Sequence, residues 1–432
     1  MPTNSLVNNE KGLVDRRIFV DKDIYQQELE LVFGRCWLFL GHESQIPRPN
    51  DFMANYMGED PVLVTRDGRG RIHSFLNMCR HRGNRICRAD FGNTPSFMCT
   101  YHGWTFSTDG KLVGVPGYKE AYFEELDRGQ WGLVEAGQID TYKGLIFATW
   151  DRQAPSLRDY LGNMAWYLDP VVDRRTNGAE FIGGIHKWVM NANWKFAADN
   201  FGGDGYHFPI THGAGVSLGI LRPKQAGPTA NVGGYCVSPG NGHGVVGFGT
   251  TDSKAYQLGR LPREVSEYLE QNLPELEERL GHVRAQRVIA GVSTTFPNMS
   301  LDPPVFTARI WHPRGADKTE VWSYCVVDKD APASVKQGMA RFLTYTFGPS
   351  GGFEQDDMNN FIQCTDSGKT TNGKKVMMNL QLGLGHDSVI ENIPGRVAPP
   401  PSENNQRAFY AWWQELMTHN SWSNIKVTPK VV

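Results

Sequence analysis

Apolar residues near the N-terminus recur at spacings of three and four, which is the period of an amphipathic helix. The pattern spans residues 21–37, and Asp21 stands where a helix-capping side chain is expected. The apolar positions are Ile24, Tyr25, Leu29, Val32, Phe33 and Cys36. We therefore predict a capped amphipathic helix at the start of the chain.

Short apolar segments separated by turn sequences follow this helix, and they are typical of β-strands. The predicted strands cover residues 61–65, 72–78, 97–106 and 144–150. The first two are joined through Asp67-Gly68-Arg69-Gly70, and the third precedes the turn Thr108-Asp109-Gly110. The pattern indicates a small β-rich unit between about residues 40 and 150, inserted after the first helix.

The pattern changes beyond Pro155, where longer helical segments alternate with a few strands. The predicted helices cover residues 192–206, 261–281, 334–347 and 404–418. Strands are predicted at residues 305–312 and 319–327. Strands and helices that are partly segregated in this way indicate an α+β domain.

Length and charge narrow the class of protein. The chain has 432 residues, enough for about two to three domains. Its 44 Lys+Arg against 46 Asp+Glu leave a net charge of -2, so no basic excess favours binding to nucleic acid. No apolar run is long enough to span a membrane. Together these two features predict neither a nucleic-acid nor a membrane partner. Seven scattered cysteines are typical of reduced thiols, so we expect a cytoplasmic protein.

Two short motifs in the β-rich unit combine a thiol with an imidazole. They are Cys79-Arg80-His81 and Cys99-Thr100-Tyr101-His102. A structural zinc site would normally pair like ligands, as in C-x2-C with H-x3-5-H, so the mixed pairs argue against zinc. Four such ligands in two tight pairs also argue against a chance arrangement of core Cys and His residues. The mixed pairs suit a Rieske [2Fe–2S] centre, in which two His replace two Cys on one iron.

The wider sequence around these motifs resembles the Rieske motif of aromatic ring-hydroxylating oxygenase α subunits. The resemblance is carried by Cys79-Arg80-His81-Arg82-Gly83 and Cys99-Thr100-Tyr101-His102-Gly103-Trp104. It implies that Cys79 and Cys99 hold one iron of the cluster and that His81 and His102 hold the other. We interpret Cys87, between the two motifs, as an ordinary buried thiol.

A second candidate metal site begins with His207-x4-His212. On a straight helix these side chains would lie about 140° apart and could not share a metal. Pro209 and Gly213 predict a break in the helix, which would let the imidazoles converge, although two unrelated histidines remain an alternative. A carboxylate would complete a 2-His-1-carboxylate site for iron. Residues 352–357 offer Glu354, Asp356 and Asp357, unless this acidic run is a solvated turn.

The naphthalene and biphenyl dioxygenase family has a similar run of an aromatic residue followed by Glu-x-Asp-Asp, and its iron ligand is the second Asp. That resemblance implies Asp357 as the ligand. It extends from about residue 20 to the C-terminus and includes Asn193-Trp194-Lys195, Asp204-Gly205-Tyr206-His207 and Phe296-Pro297-Asn298. In the family, the residue that matches Asp204 bridges an iron-ligating His to a Rieske His of the neighbouring subunit. The resemblance therefore implies that Asp204 links His207 to His102 of an adjacent chain.

The same resemblance implies the substrate-binding positions and the reaction. The positions are Asn200, Phe201, Phe208, Asn298, Phe347 and Phe353. The expected enzyme is a terminal oxygenase that uses O2 to convert an aromatic ring to a cis-dihydrodiol at one mononuclear Fe(II) per chain. Electrons from NAD(P)H would arrive through a ferredoxin or reductase and the Rieske cluster. A small β subunit is expected in an α3β3 assembly, or α3 alone.

Three alternatives stay open from the sequence. They are a Rieske monooxygenase or demethylase acting on an aromatic acid or ether, an electron-transfer protein without the second metal, and a zinc-binding interaction protein. A charged substrate would need a basic group in the pocket, for which Arg309 is one candidate.

The resulting fold class is α+β. A β-rich Rieske [2Fe–2S] domain at residues 38–155 is inserted into a larger catalytic domain, which comprises residues 1–37 and 156–432. The catalytic domain is expected to carry an antiparallel sheet flanked by helices.

Overall fold

The computed structural model describes residues 6–218, 234–248, 261–288 and 291–428. The chain divides into two compact units. One comprises Phe33–Ala154 and is called the insertion unit, and the other comprises Met1–Val32 with Pro155–Val432 and is called the main unit. Within the described ranges, no helix combines the length and hydropathy that a membrane crossing requires.

The main unit begins with two short strands and the predicted N-terminal helix. These elements are β1 (Val7–Asn8), β2 (Leu13–Asp15) and α1 (Lys22–Glu28). Asp21 caps α1 as predicted, because its carboxylate accepts hydrogen bonds from the amides of Asp23 and Ile24. The helix is shorter than predicted: after Glu28 it widens into a π-helical turn over Leu29–Phe33 and ends near Gly34, where helices commonly stop.

The insertion unit consists of antiparallel strands in three small sheets. The strands are β3 (Leu38–His42), β4 (Asp51–Met57), β5 (Asp60–Arg66), β6 (Ile72–Leu76), β7 (Phe91–Asn93), β8 (Ser96–Met98), β9 (Thr105–Ser107), β10 (Leu112–Gly114), β11 (Gln138–Tyr142) and β12 (Leu145–Thr149). Their orders are β11-β12-β3, β6-β5-β4-β7 and β10-β9-β8. This content confirms the prediction of a β-rich unit.

One predicted strand of this unit, residues 97–106, is wrong. It is two short strands, β8 and β9, separated by a loop. The loop closes on itself because the amide of Cys99 donates to the carbonyl of Trp104 over 2.8 Å, and that of Gly103 donates to the carbonyl of Cys99 over 2.9 Å. These groups are therefore not available to pair with a neighbouring strand.

The rest of the main unit places helices around one large antiparallel sheet. The strands of this part of the main unit are β13 (Ala179–Met190), β14 (Tyr235–Gly240), β15 (His243–Phe248), β16 (Val292–Thr295), β17 (Met299–Asp302), β18 (Thr307–Pro313), β19 (Thr319–Asp328), β20 (Met377–Asn379), β21 (Ser388–Ile390) and β22 (Ile393–Ala398). In the described residues the sheet has the order β13-β19-β18-β17-β16-β15-β14-β22-β21, while β20 pairs with β2. The predicted α+β class is confirmed.

Helices cover this sheet and supply the site described below. They are α2 (Leu157–Leu161), α3 (Met164–Val172), α4 (Trp194–Gly203), α5 (Phe208–Thr211), α6 (Gly213–Ser217), α7 (Arg263–Gln271), α8 (Leu273–Leu280), α9 (His282–Gln286), α10 (Ala333–Phe347), α11 (Gly352–Lys369) and α12 (Asn404–Thr418). The single helix predicted at residues 261–281 is two helices that meet at Asn272, because Pro274 lacks the amide hydrogen that a continuous helix needs.

Helix α4 packs on the middle of the sheet, against β15 to β18, and on α12. Such close packing requires glycine at the helix end. A Cβ atom on Gly203 would lie 2.6 Å from the Cβ of Asn405, and one on Gly244 would lie 2.2 Å from the carbonyl oxygen of Gly202. The approach positions the residues that follow α4 over the sheet.

Candidate metal centres

The two Cys/His motifs form two loops of the insertion unit with matching backbone hydrogen bonds. The amide of Cys79 donates to the carbonyl of Asn84, as that of Cys99 donates to that of Trp104, each over 2.8 Å. Gly83 and Gly103 occupy the same place in their loops, with φ of 77° and 76°. Only glycine adopts this left-handed conformation at no steric cost, which explains the glycine in each motif.

The four predicted cluster residues lie together at these loops. The ring centroids of His81 and His102 are 4.5 Å apart, and His81 stacks on Trp104 at 5.0 Å. Cys79 and Cys99 are buried, whereas both imidazoles are half-buried. Cys87 is buried in the same hydrophobic cluster, as an ordinary thiol would be.

The loops also surround the two sulfur atoms with hydrogen-bond donors. Burial raises the pKa of Cys79, and the neighbouring thiol of Cys99 adds to this. Burial opposes ionisation of Cys99 as well, but the amides of Tyr101 and His102 and the side chain of Asn84 outweigh it and lower the pKa of Cys99. The Nδ2 atom of Asn84 lies 3.6 Å from Sγ of Cys99.

Two thiols and two imidazoles that face each other are the donor set of a Rieske [2Fe–2S] cluster. Among the described residues, the buried Nδ1 atom of His81 has no hydrogen-bond partner, which leaves this nitrogen available to a metal. The residues therefore fit the cluster.

The second centre depends on the position of helix α4, and Asn193-Trp194-Lys195 at its N-terminus hold that helix in place. Asn193 caps the helix, because its Oδ1 accepts a hydrogen bond from the backbone amide of Lys195. Its own amide donates to Oγ1 of Thr365 over 3.1 Å, which ties α4 to α11. The buried carboxylate of Glu28 accepts hydrogen bonds from Trp194, Lys195 and Trp413. These bonds hold the helix that leads to the site.

The two histidines of His207-x4-His212 flank the short helix α5, His207 before its first residue and His212 after its last. Helix α4 has ended at Gly203, so the two imidazoles are not separated by a straight helix and their ring centroids are 5.3 Å apart. Asp204 lies between the two helices. Its carboxylate accepts hydrogen bonds from the amides of Tyr206 and His207, each over 3.0 Å.

The three candidate acids of residues 352–357 lie on helix α11 rather than on a solvated turn, and their side chains make different contacts. Glu354 is buried and pairs with Arg309 at 2.5 Å. Asp356 is 41% exposed, and its Oδ2 lies 3.4 Å from Nδ1 of His212. Asp357 is buried, and its Oδ1 lies 3.4 Å from Nε2 of His207 and 3.2 Å from Nε2 of His212.

His207, His212 and Asp357 therefore offer three ligand atoms that all lie within 4.8 Å of one another. Burial would raise the pKa of Asp357, but the hydrogen bonds to His207 and His212 outweigh it and lower the pKa to about 2. Burial would lower the pKa of His207, but Asp204 and Asp357 raise it to about 10. Two imidazoles and one carboxylate are the donors of a facial triad for Fe(II), so the residues fit a mononuclear iron.

Polar groups on the far side of each imidazole orient the rings. Nδ1 of His207 lies 2.5 Å from the carbonyl oxygen of Asp204, 3.5 Å from its Oδ1 and 3.3 Å from Nδ2 of Asn200. Nδ1 of His212 faces Asp356. With Nδ1 engaged in this way, Nε2 of each ring is directed to the ligand position. Sequence reasoning weighed Asp356 only as a ligand, and nothing in the acidic run alone signals this orienting position.

Three of the predicted pocket residues contact His212. Phe353 contacts His212 at a ring-centroid distance of 5.1 Å, Phe208 at 5.6 Å and Phe347 at 6.3 Å. Phe201 packs against Phe347 and Trp311. Asn298 is 1% exposed, and its carbonyl accepts a hydrogen bond from the amide of Trp311.

Known proteins are similar to this chain over almost its whole length. Two family descriptions match: "Rieske [2Fe-2S] domain" at residues 36–140 and "Ring hydroxylating alpha subunit (catalytic domain)" at residues 157–419. The biphenyl 2,3-dioxygenase α subunit of Rhodococcus jostii (strain RHA1) is 43% identical over 99% of this chain and 94% of its own length. The benzene 1,2-dioxygenase α subunit of Pseudomonas putida is 41% identical over 98% of this chain and 95% of its own.

A solved structure shows the same similarity. Naphthalene 1,2-dioxygenase with indole bound in the active site superimposes with a TM-score of 0.92 at 33% identity, over 98% of this chain and 96% of that one. These findings confirm the resemblance inferred from the motifs and favour a dioxygenase over the monooxygenase alternative. The cofactors are accordingly a Rieske [2Fe–2S] cluster and a mononuclear iron, and the partners are a substrate, O2 and electron-transfer proteins. The chain belongs to the Rieske-type aromatic ring-hydroxylating dioxygenases, as an α subunit.

Proposed function

We propose that this α subunit converts an aromatic ring to a cis-dihydrodiol, with Cys79, His81, Cys99 and His102 as ligands of the cluster and His207, His212 and Asp357 as ligands of the iron. The observation that supports this most strongly is the convergence of two Nε2 atoms and one buried carboxylate oxygen within 4.8 Å, beside three phenylalanine rings. The relatives named for biphenyl, benzene and naphthalene favour a substrate with one or two aromatic rings.

The iron, when bound, supplies activation of O2 with electrons from the Rieske cluster. The protein positions the substrate ring and excludes water from the site. Phe208, Phe347 and Phe353 surround His212 and would hold a planar ring beside it through apolar contact. Phe201, Asn200 and Asn298 complete the substrate-binding set. A ring held in place beside the metal ligands needs little further ordering before it reacts.

Asp204 is proposed to couple the two metal centres rather than to bind metal. Its contacts with His207 support this, since its carbonyl and carboxylate both face Nδ1 and leave Nε2 for the metal. The carboxylate would bridge His207 to His102 of an adjacent chain, so assembly would be part of the mechanism. We propose an α3β3 assembly with a small β subunit, or α3 alone, that works in the cytoplasm with a ferredoxin or reductase.

The test is a product analysis with ¹⁸O2. The purified oxygenase is supplied with NADH and a compatible ferredoxin and reductase, and offered biphenyl, naphthalene and benzene. We expect a non-aromatic diol that carries two ¹⁸O atoms. A single ¹⁸O atom per product from a fully iron-loaded enzyme would contradict the proposal. The variant His212→Ala serves as the control, because it should abolish product while the cluster spectrum stays unchanged.

A further inference from the structure

Strand β18 carries a fully buried arginine, Arg309, that has no role in the function above. The residue is 0% exposed. It lies inside the large sheet, where the register pairs it with Ser300 of β17 and with Ser323 of β19. A charged side chain is almost never fully buried unless its charge and its donors are engaged, so this position requires an explanation.

The guanidinium group of Arg309 binds both sides of the turn between α10 and α11. Helix α10 ends at Phe347, and α11 begins at Gly352. Nη2 donates to the carbonyl oxygen of Phe347 over 2.8 Å, and Nη1 donates to Oε2 of Glu354 over 2.5 Å. The first acceptor is one of the last carbonyls of α10, which have no partner within the helix, and the second lies in the first turn of α11. One side chain of the sheet therefore holds the end of one helix to the start of the next.

Aromatic rings surround the same guanidinium group. Its central carbon lies 4.9 Å from the ring centroid of Phe201 and 5.1 Å from that of Phe347. The ring centroids of Trp311 and Trp188 lie at 5.5 and 5.6 Å. A cation within about 6 Å of a ring centroid, over the ring face, is attracted to the ring. Arg309 therefore holds Phe347 through its ring as well as through its carbonyl oxygen.

The turn that Arg309 holds carries two of the three phenylalanine rings at the metal ligands. Phe347 precedes the turn and Phe353 follows it, and their ring centroids are 5.7 Å apart. Both rings contact His212, at centroid distances of 6.3 and 5.1 Å. The position of both rings beside this imidazole therefore depends on the turn, which Arg309 ties to the sheet.

Arg309 is not placed to bind a charged substrate, the role considered for it from the sequence. Its charge is balanced by Glu354, whose carboxylate is buried with it. The third nitrogen, Nε, has no hydrogen-bond partner in the part of the chain that the structure describes, but it is buried like the rest of the side chain. Arg309 therefore acts on the substrate only through the residues that it holds.

We propose that Arg309 is a positioning residue that sets which carbons of the aromatic ring face the metal, by holding Phe347 and Phe353 in the wall of the pocket. The inference rests on the proposed function, since that function places the substrate ring beside these two side chains. A displacement of about 1 Å at a reacting centre can change a rate by about 100-fold, so a small shift of the wall changes both the rate and the position of attack. A guanidinium group is suited to this because it directs several hydrogen bonds from one rigid plane, which an ammonium group cannot do.

The experiment measures where the complete oxygenase attacks biphenyl and toluene, in which the attacked ring carries one substituent. The reductase system supplies electrons, and the ratio of the ortho–meta to the meta–para cis-dihydrodiol is measured together with kcat and KM. Arg309→Met should change this ratio by about tenfold or more and lower kcat/KM by about 10- to 100-fold, with unchanged iron content. Arg309→Lys, which keeps the charge but not the rigid pair of hydrogen bonds, should give an intermediate ratio.

A double variant separates positioning from stability. Arg309→Met alone leaves the carboxylate of Glu354 buried without its counter-charge, which destabilises the fold. Adding Glu354→Leu removes both charges, so the thermal midpoint should recover most of what the single variant lost. The diol ratio should stay changed, because the hold on Phe347 is still lost. Arg174→Met, which breaks another buried pair with Asp328 at the end of β19, is the control, and its diol ratio should match that of the wild type.

A wild-type ratio in Arg309→Met or in the double variant would overturn the inference, as would an equal change of ratio in Arg174→Met. In each of these cases, formation of the diols leaves the proposed function intact. If the iron-loaded wild type formed no dihydrodiol from any aromatic hydrocarbon, the proposed function would fail and this inference with it. Iron content and the thermal midpoint are measured for every variant, and the double variant decides the outcome if Arg309→Met alone does not fold.

Discussion

The Oδ1 atom of Asp357 lies 3.2 Å from Nε2 of His212, although one residue follows helix α5 and the other lies on α11. The neighbouring Asp356 faces Nδ1 of the same imidazole instead. Adjacent acids on one helix therefore hold opposite sides of the same ring, and this separates a metal ligand from an orienting residue.

We expect Asp357→Ala to lose the mononuclear iron while the cluster spectrum is unchanged. Iron should fall from about three to about two per chain, with about two acid-labile sulfides in both proteins.

Asp356→Ala should keep most of its iron and lose activity by about 10- to 100-fold, because only the orientation of His212 is weakened. Asp366→Ala, an exposed acid on the same helix, is the control. Loss of iron from the Asp356 variant alone would move the ligand to that residue.

Asp204→Asn should keep both metals but lose turnover by about 100-fold or more, beyond the usual effect of a residue next to a ligand. The amide oxygen can still accept from the amides of Tyr206 and His207, so the local backbone should be preserved. Iron and sulfide analysis together with steady-state rates test this. Loss of iron along with activity would make Asp204 a ligand or a structural support.

Mixed oligomers test whether electrons cross between chains. Asp204→Asn alone should turn over about 100-fold or more slowly than the wild type, and His102→Ala alone should be inactive. When the two chains are co-expressed, an intact cluster of one chain can meet an intact Asp204 of the other, so part of the activity should return. Inactive mixed oligomers with full iron at the second site would show that transfer occurs within one chain.

The buried Glu28 should be essential for stability of the main unit. It accepts hydrogen bonds from Lys195 over 2.5 Å and from Trp413 over 2.8 Å, and both it and Lys195 are fully buried. Glu28→Gln leaves a buried ammonium group without its counter-charge, which costs about 3–5 kcal/mol and should lower the thermal midpoint by about 5–10 °C. Calorimetry checks this against Glu267→Gln, which breaks an exposed pair with Arg263 worth about 0–1 kcal/mol. Equal midpoints for the two variants would contradict the expectation.

His243 should make the protein less stable in mild acid. It is fully buried, its Nδ1 accepts from the amide of Phe296, and its Nε2 contacts the carbonyl oxygen of Tyr160. Burial lowers its pKa from 6.5 to about 4, with the carbonyl of Tyr160 opposing this. The folded state disfavours the protonated ring. The contribution of His243 to the free energy of unfolding, about 3 kcal/mol, is therefore fully present above pH 6.5 and is lost as the pH falls towards 4.

Thermal midpoints at pH 7.5, 5.5 and 4.5 measure this loss. His243→Gln cannot titrate in this range, so its midpoint should fall less steeply between pH 7.5 and 4.5 even if it is lower at neutral pH. Parallel pH curves for the two proteins would assign the acid sensitivity to other groups.

Local sequence patterns were sufficient for much of the fold. The predicted helix at residues 404–418 is α12, and the capping role of Asp21 is observed, because both depend on neighbours within a few residues. The strands β13 to β17 and the helix α11 were not predicted. Strand β13 contains Gly183 and Gly184, where its register with β19 shifts, so its alternation is interrupted. The break between α7 and α8 was also missed, although Pro274 marks it.

The sequence by itself determined the kinds of ligand and their local spacing, since C-x-H and C-x2-H each lie within one loop and H-x4-H spans only the short helix α5. Residues alone left Glu354, Asp356 and Asp357 open, and the family resemblance favoured Asp357. Only the tertiary structure decided where each acid points, because their directions depend on how α11 packs against α5 and on the partner that Arg309 provides for Glu354. The same packing brought Phe208, Phe347 and Phe353 around His212, because these rings lie on different helices and no local spacing brings them together.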